Sequence, residues 1–126
     1  MKESKQNQML AYFEHEIAEC VKREALLQGD CRQDEANLEK IKANVFDIFR
    51  TMFNIAVRTV HDKDNTMNSI RCSFMTKVES IPANWLSSYE RAKAHQDTSK
   101  ILIEEIKLQT VAAIRSTFEE IWGCES

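Results

Sequence analysis

The stretch Leu38-Glu39-Lys40-Ile41-Lys42-Ala43-Asn44-Val45-Phe46-Asp47-Ile48-Phe49-Arg50-Thr51-Met52-Phe53-Asn54-Ile55-Ala56-Val57 decides the fold. Leu38, Ile41, Val45, Ile48, Phe49, Met52, Ile55 and Ala56 recur every three or four positions, and Val60 continues the series. That is the period of an amphipathic helix. Phe46, Phe53 and Val57 widen the apolar arc to about 200° of the wheel, beyond an ordinary core-facing stripe. Asp47, Arg50, Thr51, Asn54, Arg58 and His61 fill the rest. A helix this apolar must be covered on two sides. Either it is the central helix of a bundle, or its outer flank meets another subunit.

Nothing in that stretch breaks a helix, and little elsewhere does. The 126 residues hold two glycines, Gly29 and Gly123, and one proline, Pro82. Glycine and proline are the main helix breakers and turn builders, so the elements are few and long. A helix before the central one is predicted over about Glu3 to Gln28, with Met9, Leu10, Phe13, Ile17, Cys20, Val21 and Leu27 on one face. Gly29-Asp30 reads as its stop, with the glycine at the left-handed cap. The turn is short, so the next helix, from near Cys31–Asp34 to near His61, runs antiparallel.

His61-Asp62-Lys63-Asp64-Asn65-Thr66 is six polar residues rich in turn formers and reads as a loop. Met67 to Ser80 reads as a third helix, which Pro82 ends or kinks. Asn84 to His95 forms a further segment carrying Trp85, Tyr89 and Ala92. Asp97 or Thr98 would supply an N-cap for a last helix, Thr98 to Trp122, closed by Gly123; an unbroken helix from Asn84 to Trp122 is the alternative, disfavoured because it would be about 58 Å long. Its core face is Leu102, Ile103, Ile106, Thr110, Ala113, Ile114, Thr117 and Ile121. The expectation is one all-α domain over residues 1–126, an antiparallel helical bundle of four layers built from four to five helices. No internal repeat is legible.

Composition narrows the function classes. Hydrophobic residues at 43% and charged residues at 29% suit a folded globular chain rather than a disordered one. The net charge of −3 carries no Lys/Arg block that would grip nucleic acid. Residues 67–95 have the outline of a helix–turn–helix, but Glu79 and Glu90 stand among the cations Arg71, Lys77, Arg91 and Lys93. The polar start lacks the apolar core of a secretory signal, and no apolar run is long enough to span a bilayer. Cys20, Cys31, Cys72 and Cys124 form no C-x-x-C pair. They read as reduced thiols in a cytoplasmic protein, not as zinc ligands or disulfides.

Chemistry in helical bundles commonly rests on carboxylate-held metals, with a Glu-x-x-His spacing that none of the three histidines has. Glu16-Ile17-Ala18-Glu19 followed by Asn44-Val45-Phe46-Asp47 resembles, over about 32 residues, the paired acidic motif of the MazG-like helical nucleotide pyrophosphohydrolases. Asn44 stands where that pattern has an acid. The resemblance implies a Mg²⁺-dependent nucleotide hydrolase with Glu16, Glu19 and Asp47 as its acids. Nucleophilic catalysis has no motif here, and no glycine-rich loop could cradle phosphate. No cofactor or metal is expected on the main reading.

Glu24 interrupts the apolar face of the first helix, and an acid buried there needs a partner or a proton. The last helix shows a thinner second stripe, Ile101, Leu108, Val111 and Trp122. With Phe46, Phe53 and Val57 it predicts surplus apolar surface, the mark of association. The contact surface expected is Phe46, Phe53, Val57, Leu108, Val111 and Trp122, on a non-enzymatic protein-interaction or regulatory module whose partner is another protein or a second copy, as a homodimer. A small apolar ligand among Phe49, Met52, Phe74 and Trp85 is the remaining possibility.

Overall fold

The computed structural model describes residues 2–59 and 66–122, with side chains over 5–59 and 69–122. It contains four helices: α1 (Lys2–Gly29), α2 (Gln33–Thr59), α3 (Thr66–Ala94) and α4 (Thr98–Trp122), and no strand among the described residues. The expected loop at His61 to Asn65, the stop at Gly123 and the thiol Cys124 lie outside the described residues.

Pro82 does not divide the third element. α3 runs through it as one helix from Thr66 to Ala94, so the helix–turn–helix outline is lost. A proline inside a helix forfeits one backbone hydrogen bond and crowds the preceding turn, at roughly 3 kcal/mol. Val78, Ile81 and Trp85 on either side of it pack into the core. Packing of the buried Val78 and the half-buried Ile81 and Trp85 offsets that cost, each contributing up to the roughly 1.5–3 kcal/mol of a fully buried large apolar side chain.

The core is aromatic and lies toward the end opposite the two short turns. Phe13, Phe49, Phe53, Phe74 and Phe118 are fully buried. Phe53 stands at its middle, with ring centroids 5.6 Å from Phe74, 5.5 Å from Trp122, 6.3 Å from Phe13 and 6.4 Å from Phe118. Most of these pairs meet edge to face, which matches ring edge to ring face electrostatically. α1 packs on α2 and α3 on α4, while α2 and α4 run parallel and meet across the short diagonal of the bundle.

Both short turns are built alike. Arg32 N–H donates to Leu27 O and Cys31 N–H to Gln28 O; Asp97 N–H donates to Ala92 O and Gln96 N–H to Lys93 O. These are two Schellman caps, each with its left-handed residue at the same place: Cys31 at φ 59° and Gln96 at φ 56°. The first cap therefore falls two residues after Gly29, which stays within the helix. Asp97 caps α4 as expected, accepting from Lys100 N–H at 3.2 Å.

From Cys31 to Gln96 is a step of 65 residues, and the same step carries one hairpin onto the other. It takes Met9 to Phe74, Phe13 to Val78, Phe46 to Val111, Phe49 to Ile114 and Phe53 to Phe118, every one buried. It also takes the ion pair Glu39–Lys42 to Glu104–Lys107. The bundle is thus two equivalent hairpins around a pseudo-twofold axis that passes between Phe53 and Phe118. A repeat does exist, contrary to the sequence reading. It lies in the cap geometry and in these buried positions, while most residue identities differ between the hairpins.

Candidate functional site

The residues expected to form an outward contact surface are turned inward. Phe46, Phe53, Val111 and Trp122 are buried, and Val57 and Leu108 are half-buried. The physical reason is the position of α2, which is covered by α1, α3 and α4 and so takes the first of the two options its wide apolar arc allowed. In α4 the buried series is Glu104, Thr110, Val111, Ile114, Phe118 and Trp122. The helix is rotated from the expected face so that its two largest rings reach the core, which leaves Leu102 43% exposed. Val21 on α1, also expected inside, is exposed. Phe49 lies 6.3 Å from both Phe74 and Trp85, so the chain's own rings occupy the place considered for an apolar ligand.

The acids of the hydrolase reading do not converge. Asp47 points to solvent and accepts from Arg50 at 2.5 Å. Glu19 lies 3.9 Å from Arg23. Glu16 lines a crevice with Arg23, Lys42, Phe46, Gln109 and Thr110. Among the described residues no three His, Cys, Asp or Glu side chains are grouped to hold a metal ion.

Glu24 is not the buried acid. It is half-buried near the end of α1, where the packing face meets water, and it accepts from Gln28 Nε2 at 3.3 Å. Two other carboxylates sit deep in the hairpins. Glu39 on α2 accepts from Arg23 Nε at 3.0 Å through Oε1 and from Lys42 Nζ at 3.2 Å through Oε2. Burial pushes the Glu39 carboxyl up, but the hydrogen bonds from Arg23 and Lys42 outweigh it and hold the group below its ordinary range. Beside this network Cys20 is buried, and burial raises its thiol pKa. Cys20, Cys31 and Cys72 are free thiols.

Glu104 is the counterpart of Glu39 in the second hairpin. It is only 4% exposed. Its Oε2 lies 3.6 Å from Lys107 Nζ, which also stands 5.6 Å from the centre of the Trp85 ring. Its Oε1 is buried without a hydrogen-bond partner. Sequence reasoning missed this residue because the expected core face of α4 excluded it. The heptad-like series Glu104, Val111, Phe118 could have revealed it.

An apolar pocket of about 300 Å³ opens between the starts of α2 and α4. Leu38, Ile41, Leu102 and Ile103 line it, with Asp34, Glu35, Asn37 and Ser99 around them. It lies on the pseudo-twofold axis, since Asp34, Asn37 and Leu38 correspond to Ser99, Leu102 and Ile103. Leu26, 63% exposed, belongs to the same half of the bundle.

Comparison with known proteins leaves the assignment to these features: the chain matches no protein-family model, no curated protein and no solved structure. No helix among the described residues is long and apolar enough to cross a membrane.

Proposed function

We propose that this helical bundle is a non-enzymatic protein-contact module of the cytoplasm, docking through the apolar pocket between the starts of α2 and α4. The observation that carries the reading is the uneven burial along the bundle. Aromatic rings fill one half, where Ile48 is 39% exposed, while in the other half Val21, Leu26 and Leu86 are at least half-exposed and Leu102, at the pocket itself, is 43% exposed. A pocket whose walls are four aliphatic side chains gains free energy when a partner's apolar group displaces its water, at about 25 cal/mol per Å² covered. A second copy is the simplest partner, because twofold assemblies are the commonest oligomers. The wide and irregular spacing of the four cysteines, with no C-x-x-C pair, suits a reducing compartment.

The test is a photoreactive benzoylphenylalanine placed at Leu102 and, as a control, at the exposed Asn54 on the opposite half. Irradiation in cells of the native host is expected to give discrete protein adducts from position 102 alone. Adduct mass then separates a second copy from a different protein. Equal labelling at both positions, or none at 102, would refute the proposal.

A further inference from the structure

The step of 65 residues that carries one hairpin onto the other reverses the charge of the turn. Around the first turn, residues 26–35 hold Asp30, Asp34 and Glu35 against Arg32 alone. The same register around the second turn, residues 91–100, holds Arg91, Lys93 and Lys100 against Asp97 alone, with His95 neutral at pH 7. One turn is therefore acidic by two charges and the other basic by two, and all eight charged side chains are exposed. Both turns lie at one end of the bundle, on opposite sides of the pseudo-twofold axis. Between them lies the pocket lined by Leu38, Ile41, Leu102 and Ile103.

We infer that this end of the bundle docks on the same end of a second copy, pocket against pocket, with the acidic turn of each chain over the basic turn of the other. The contact rests on the docking reading of the pocket and adds to it the partner and its orientation. A twofold axis along the line joining the two turns would set acid on acid and base on base. A twofold axis perpendicular both to that line and to the pseudo-twofold axis sets each acidic turn opposite a basic one. Like charges in apposition cost free energy and opposite charges gain it, so the second arrangement is selected. It is isologous and closes on itself, so association stops at two chains. Packed helices stand about 8–10 Å apart, so the end of a four-helix bundle is about 20 Å across and offers about 400 Å². That is about half of what each partner gives to a standard stable interface. The dimer is therefore weak, with a dissociation constant on the order of 100 μM, and sensitive to salt, because exposed charges are screened beyond about 10 Å at 0.1 M.

Sedimentation equilibrium of the intact chain, from about 10 μM to about 1 mM, reads the association directly. Raising salt from about 50 mM to about 500 mM is expected to weaken the dimer about tenfold. Asp30→Lys with Asp34→Lys makes both turns basic, and Lys93→Glu with Lys100→Glu makes both acidic. Each of these proteins is expected to stay monomeric alone, and the two are expected to pair when mixed. All four substitutions in one chain exchange the charges of the turns and are expected to restore the dimer. A combined variant that is folded by circular dichroism yet monomeric would overturn the inference. Association that Leu102→Asn abolishes but the charge exchanges leave unchanged would also overturn it, while docking through the pocket stands. No association of wild type up to about 1 mM would overturn it as well, and adducts of a different protein at position 102 would then still uphold the pocket.

Discussion

Exchanging the chemistry of the first turn puts its geometry to a direct test. Gly29 lies in the last turn of α1, and a Cβ built there meets nothing within 4 Å. Its counterpart in the second hairpin is Ala94, so the same backbone already accepts a methyl group. Gly29→Ala should therefore stabilise by about 0.5–1 kcal/mol, the usual advantage of alanine over glycine in a helix. Cys31 holds φ 59°, where a side chain is strained and glycine is not. Cys31→Gly should add about 1 kcal/mol. A 126-residue chain has an unfolding entropy near 0.26 kcal/mol per degree. The double variant should then melt about 6–8 °C above wild type, if the two effects add. Scanning calorimetry at neutral pH reads this directly. A fall in Tm for Gly29→Ala would mean that the glycine itself occupies the left-handed cap, as the sequence suggests, and would refute the placement of the turn.

Two further outcomes follow from the core and from the charge network. Phe53→Ala removes the ring at the middle of the aromatic core and should cost about 3–5 kcal/mol in urea unfolding; a cost below about 1 kcal/mol would mean the aromatic packing is not as described. The folded-state pKa of Glu39 lies below its unfolded value, so the ionised group stabilises the fold above the ordinary carboxylate range, and the benefit is lost as pH falls through the lower folded value. Glu39→Gln should therefore be less stable than wild type at pH 7 by about 0.5–1 kcal/mol, a modest figure because Arg23 is nearly half-exposed. That gap should close toward pH 3, and a gap independent of pH would contradict it.

The period of the apolar residues from Leu38 to Val57 was enough to read the helices and their all-α packing, because burial of a stripe depends on spacing alone. The break near Asp97 was only half legible: a capping aspartate stands there, but without glycine or proline an unbroken helix from Asn84 to Trp122 was equally writable, and only the cap at Asp97 decides between them. Which flank of each helix faces inward was not legible. Phe46, Val111 and Trp122 look superfluous on a wheel, and become core only once α2 is flanked by three neighbours. Pro82 misled for a related reason: its local cost is visible in sequence, but the burial of Val78 and Trp85 that offsets it is not. Glu104 stayed hidden because a charged residue argues against a core position until its counterpart Glu39 shows that both hairpins carry one.

The likeness of the two hairpins bears on how the chain is made. During synthesis the first hairpin leaves the ribosome well before the second is complete, offering a face suited to either. On crowded polysomes a neighbouring nascent chain presents that same face. The contacts between α1 and α2 are local and those between the hairpins are tethered, which favours pairing within one molecule. Dilution during refolding should therefore favour correctly paired chains over hairpin-exchanged aggregates.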